Sequence, residues 1–116
     1  MTTRRIVVGA HYGLRDWLMQ RVTAVVLLVY TLLLLGAVLF TRELDYGSWA
    51  ALFSNVWMKV ATVMAVLSLV YHTWVGTRDI YMDYFKPTGL RLVATLGTLI
   101  LLFSYAVWAV IILWRV

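Results

Sequence analysis

Three apolar stretches constrain this chain more than any motif it contains: VTAVVLLVYTLLLLGAVLF at about 22–40, VATVMAVLSLVYHTWVGTRDIY at about 60–81 and LVATLGTLILLFSYAVWAVIILW at about 92–114. A helix rising 1.5 Å per residue needs about 20 residues to cross a hydrocarbon core of about 30 Å, and each stretch meets that length. The first and third carry no charge, and the second turns polar only near its end. Hydrocarbon offers backbone N–H and C=O groups no partners, so each segment must satisfy its own, as a helix does. The expected fold is an all-α membrane protein with three transmembrane helices, a single anchor domain over 1–116.

Composition agrees. Only 13% of the residues are charged, against about 25% in soluble domains, too few to clothe a globule in water. The chain has no cysteine, which excludes a disulfide framework, a thiolate metal site and a CxxC redox motif. Any metal must be held by histidine, carboxylate or methionine, so His11 and His72 stand out. The net charge of +5 comes from cations beside the apolar spans, where they act as topology signals in contact with membrane lipid. No basic-aromatic surface is left for nucleic acid. The N-terminal arm lacks an apolar core followed by a small-residue cleavage site, so no removable signal peptide is expected.

With three spans, the N-terminal arm and the second loop share a side. Arg4, Arg5, Arg15, Arg21, Arg78, Lys86 and Arg91 lie there, against Arg42, Lys59 and Arg115 on the other, beside Glu43 and Asp45. The positive-inside bias puts the N-terminus in the cytoplasm and the C-terminus outside, in the periplasm. Trp17, Tyr81 and Tyr84 then fall at the inner interface, and Trp49, Trp57 and Trp114 at the outer one. TRELDYGSWAALFSNVWMK and DYFKPTGLR serve as short connections. Pro87 cannot continue a helix and pushes Lys86 out of one, with Gly89 expected to help the chain turn back.

The second span has one unusual face. From His72 at helical spacing it carries Ser68, Ala65 and Ala61 in one direction and Gly76, Asp79 and Asp83 in the other. All are small or polar, whereas Val63, Leu67, Val70 and Trp74 occupy the other side. Small faces let helices approach closely, and a histidine can bridge helices by hydrogen bonding. An ionisable group about two turns deeper than Asp79 is also costly, and such groups are usually functional or paired. A neutral imidazole is a common axial donor to haem iron, and small neighbours leave space for a flat macrocycle. A haem here would need cations for its propionates near the inner interface, where Arg21 opens the first helix and Arg15 lies about two turns earlier. At the end of the second span, Tyr84 beside Asp83 offers a phenol next to a carboxylate, able to hydrogen-bond a carbonyl and relay protons.

Together, DWLMQRVTA and HTWVGTRDIYMDYFKP resemble the hydrophobic membrane anchor family of bacterial succinate dehydrogenase, respiratory Complex II. Helix number, loop lengths and motif order extend the resemblance over nearly the whole chain. It implies that His72 is an axial ligand to the iron of haem b, the second ligand coming from a partner. It further implies that Arg21 lies near the propionates, and that Tyr84 and Asp83 belong to the ubiquinone site. Where this chain has Arg15 the family can carry a histidine, and His11 matches no family role.

The implied function is a membrane anchor in the bacterial cell inner membrane, a non-catalytic subunit through which electrons from succinate oxidation reach ubiquinone. The implied partners are a second membrane anchor subunit (the cytochrome b556 subunit), the iron–sulfur subunit and the flavoprotein subunit. The alternatives are a fumarate reductase anchor working in the opposite direction, a small oligomeric membrane transporter, and a structural assembly subunit with a silent histidine. A transporter would need an acidic residue deep in a span, and the first and third spans hold no charge.

Overall fold

The computed structural model describes residues 8–116, with side chains from Gly13 onward; Arg4, Arg5 and the His11 side chain lie outside that range. Among the described residues four helices follow one another: α1 (Val8–Leu39), α2 (Tyr46–Ser54), α3 (Val56–Tyr84) and α4 (Thr88–Trp114). Three segments, Gly13–Leu39, Val56–Tyr84 and Thr88–Trp114, are long and apolar enough to cross a membrane. The protein is thus multi-pass, as the apolar runs predict.

Each long helix begins before its apolar run. The extensions carry Arg15, Asp16, Arg21, Lys59 and Arg91, charges that a polar interface would accommodate at little cost. Thus α1 continues unbroken through the segment expected to be an arm before the first span. The first connection also differs from expectation. Tyr46–Ser54 forms a helix, started by Asp45, whose carboxylate accepts from the Ser48 amide at 2.8 Å while the Ser48 hydroxyl accepts from the Asp45 amide at 3.1 Å. This reciprocal cap satisfies donors that a helix start leaves free. Asn55 ends α2 and caps α3, accepting from the Trp57 amide at 2.8 Å.

The α3–α4 turn spans Phe85 to Pro87, which keeps Lys86 out of a helix as predicted, but glycine gives it no help. Phe85 and Pro87 hold extended backbone angles, Gly89 lies inside α4, and no described glycine has positive φ. Arg91 closes the turn by donating to the Phe85 carbonyl and, at 3.0 Å, to the Met82 carbonyl. Tyr81 adds a hydrogen bond to Thr98 of α4 at 2.7 Å and stacks on Phe85.

Helix α3 is the common partner, packing against α1, α2 and α4. The buried apolar cluster lies at the α2 end, where Phe53, Met58 and Leu113 meet Tyr30, Leu34, Leu52 and Val63. Most other large apolar side chains, including Leu28, Leu32, Leu101 and Phe103, are exposed. In water that would be untenable, but in lipid it carries no penalty. Hydroxyls in the spans are satisfied locally: Thr31 donates to the Leu27 carbonyl and Ser104 to the Ile100 carbonyl, both at 2.7 Å.

Candidate functional site

Helices α1 and α3 run antiparallel, and polar side chains pair along their seam. On α1 these are Asp16, Gln20, Thr23 and Tyr30, at intervals of four, three and seven residues that keep them on one helical face. Asp16 forms an ion pair with Arg78. Gln20 Nε2 donates to the His72 carbonyl at 3.4 Å, Thr23 Oγ1 lies 3.0 Å from His72 Nδ1, and the Tyr30 hydroxyl meets Thr62 Oγ1 at 2.8 Å. As the α1 partner moves up the chain, its α3 partner moves down, which is what antiparallel register requires.

The small face around His72 is therefore used, at least in part, by the chain itself. Ala65 is buried, and a Cβ placed on Gly76 would stand 3.7 Å from Gln20 Nε2, an ordinary contact. The element that comes close here is α1. His72 is half-buried between these contacts.

The contact geometry leaves one ring nitrogen for another task. Nδ1 faces Thr23, while Nε2 makes no hydrogen bond among the described residues. No group of three or more histidine, cysteine, aspartate or glutamate side chains among the described residues could hold a bare metal ion. A metal at His72 would have to bring most of its own coordination, as iron in a porphyrin does. A single neutral imidazole nitrogen, oriented through the ring's other nitrogen, fits that donor chemistry.

Near the His72 end of the seam, an open groove of about 650 Å³ is lined by Arg15, Asp16, Tyr71, Arg78, Asp79 and Met82. Its charges balance, two cations against two anions. Arg78 binds Asp16 and stands 3.8 Å from Asp79, so Asp79 has a cation neighbour on its own helix. Among the described residues, two buried polar atoms lack partners: the acceptor Gln20 Oε1 and the donor Arg78 Nε. Both belong to the residues joining α1 to α3.

The other expected site residues lie apart from His72. Arg21 is exposed and stacks over Trp17, its guanidinium carbon 5.2 Å from the ring centre. Two residues from Thr23, it points about 200° away around α1, at about 100° per residue. Hence it is not on the face that meets His72. Asp83 and Tyr84 end α3, about 18 Å beyond His72 at 1.5 Å per residue, and both are exposed. Arg91 fixes the carbonyls of Met82 and Phe85 on either side of that pair. Sequence reasoning misses Thr23, Gln20 and Asp16, although their helical spacing with Tyr30 is a signal that could have found them.

Residues 1–113 match the family model described as succinate dehydrogenase/fumarate reductase transmembrane subunit. The chain is similar to a protein of Coxiella burnetii (strain RSA 493 / Nine Mile phase I) named succinate dehydrogenase hydrophobic membrane anchor subunit. They are 36% identical over 102 residues, covering 88% of this chain and 89% of that protein. A Rickettsia bellii (strain RML369-C) protein of the same name is 30% identical over 83 residues, 72% of this chain and 66% of its own length.

Proposed function

Because the chain belongs to the succinate dehydrogenase/fumarate reductase transmembrane subunit family, we propose that it anchors succinate dehydrogenase in the bacterial inner membrane, ligates haem b through His72 and helps bind ubiquinone. Its N-terminus faces the cytoplasm, placing the cation-rich end of the bundle beneath the iron–sulfur and flavoprotein subunits. A second membrane anchor subunit would provide the other protein ligand to that haem. The reading rests above all on His72, an imidazole within a membrane span that leaves Nε2 free of hydrogen bonds among the described residues.

Each residue has a limited task. His72 offers Nε2, with Nδ1 turned to α1. Bound haem supplies one-electron transfer at that point. Arg21, exposed on another face of α1, is available to a propionate rather than to the imidazole's surroundings. Tyr84 donates its phenolic hydrogen to a quinone carbonyl, and Asp83, next to it, accepts and passes protons from the aqueous side. Arg91 holds the turn that carries both. The ordered end of α3 thereby limits where the phenol can point.

Purification of the tagged chain in mild detergent tests this assignment. The expected preparation contains a flavoprotein, an iron–sulfur protein and a second small membrane protein, shows a low-spin haem spectrum and reduces quinone with succinate. A homo-oligomer free of haem and of these partners would overturn it.

A further inference from the structure

We propose that Thr23 is a positioning residue for His72: its side-chain oxygen, facing Nδ1 across the α1–α3 seam, selects the imidazole tautomer whose lone pair is on Nε2. This rests on His72 being the haem ligand and adds a residue on α1 to that site.

The hydroxyl's surroundings decide the direction of the contact. Thr23 is buried, with a relative exposure of 4%. Its Oγ1 lies 2.7 Å from the Met19 carbonyl and 3.2 Å from the Gln20 carbonyl, so its one hydrogen is shared between carbonyls of its own helix. A hydroxyl has one hydrogen and two lone pairs. With the hydrogen engaged, Oγ1 meets Nδ1 at 3.0 Å as an acceptor. Nδ1 must then carry the ring hydrogen, and the neutral imidazole keeps its lone pair on Nε2, as ligation requires.

A second contact steadies the same turn. Gln20, one turn from Thr23, donates to the His72 backbone carbonyl at 3.4 Å. Helix α1 thus holds both the ring and the backbone of His72, and the α1–α3 register sets the direction of Nε2. Donation from Nδ1–H also strengthens the imidazole as a donor, favouring ferric over ferrous iron.

The test uses the intact purified complex, comparing Thr23→Val, which keeps the shape and removes the acceptor, with Thr23→Ser, which keeps the oxygen. Loss of such an outer contact costs about tenfold in metal affinity at the low end. If that loss falls on ferric haem, the midpoint potential rises by about 59 mV for a one-electron couple. Thr23→Ser should stay near wild type. A Thr23→Val complex with haem bound at the wild-type potential would overturn the proposal.

Should Thr23→Val not assemble, pulsed EPR of the wild-type ferric complex, with 15N-labelled histidine, reads the remote ring nitrogens directly. A hydrogen-bonded N–H at the His72 remote nitrogen supports the proposal, and a free N–H there overturns it. His72→Ala separates the two claims. If it leaves the low-spin spectrum unchanged, the ligand assignment fails. If it alters the spectrum while Thr23→Val changes nothing, only the role of Thr23 fails.

Discussion

The two ends of this bundle are held together by different forces. At the end bearing Arg15, Arg78 and Arg91, α1 and α3 meet through an ion pair and hydrogen bonds: Asp16 to Arg78, Gln20 and Thr23 to His72. At the other end, where the seam's last polar contact is Tyr30 with Thr62, Phe53, Met58 and Leu113 pack under α2, with the helix ends capped by Asp45 and Asn55. Polar contacts have directions, so they fix the aim of a side chain, whereas apolar packing fixes only proximity and shape. The end with directional contacts carries the imidazole and, at the tip of α3, the phenol. The packed end closes the bundle and carries no residue assigned to chemistry.

That division predicts that variants at one end change reactivity and variants at the other change stability. The largest separation is expected from Tyr84→Phe. Removing the phenolic hydrogen should lower quinone reduction on the order of 100-fold, the lower range for a positioned proton donor, while succinate-dependent reduction of an artificial dye is preserved. Equal loss in both assays would mean that Tyr84 supports assembly instead.

A moderate effect of the opposite kind is expected from Met58→Ala. Truncating this buried side chain leaves a cavity beneath α2, and the cost should be about 2 kcal/mol, the low end for such changes. The assembled complex should melt at lower temperature with its haem spectrum and quinone activity intact. A shifted haem spectrum would show that the two ends are coupled.

The smallest effect is expected at Asp45. Hydrogen bonds from Ser48, first the backbone amide and then the hydroxyl, hold its carboxyl below the usual carboxylate range. The ionised form is favoured in the folded chain, so its capping contribution is full above the ordinary aspartate pKa of about 3.9. It declines as pH falls through the lowered folded value. Corrected for the intrinsic exchange rate, protection of the α2 amides should fall over that acidic window, and Asp45→Asn should remove that fall. Unchanged exchange would mean that the Asp45 cap does not hold this end.

How much of this is legible in the sequence follows the same division. The three spans are plain, because an uncharged run of membrane length has few other uses. His72 stands out as the one histidine inside an apolar run, and Pro87 marks the end of α3 beside Asp83 and Tyr84. Helix α2 is easily missed because WAALF is too short to span anything, although Asp45 with Ser48, and Asn55 after it, carry the cap chemistry. The start of α1 reads as an arm because Arg15, Asp16 and Arg21 interrupt the apolar pattern, yet charges at an interface do not stop a helix. The α1 seam is harder to see. Asp16, Gln20, Thr23 and Tyr30 are ordinary singly and gain meaning only once the antiparallel register sets them opposite Arg78, His72 and Thr62.

The central claim is that His72 occupies its membrane span as an iron ligand. Visible and low-temperature EPR spectra of the purified complex carrying His72→Ala test it most directly, with dye reduction by succinate confirming assembly. Loss or replacement of the wild-type low-spin haem signal is the predicted result. An assembled His72→Ala complex with the wild-type spectrum would contradict it.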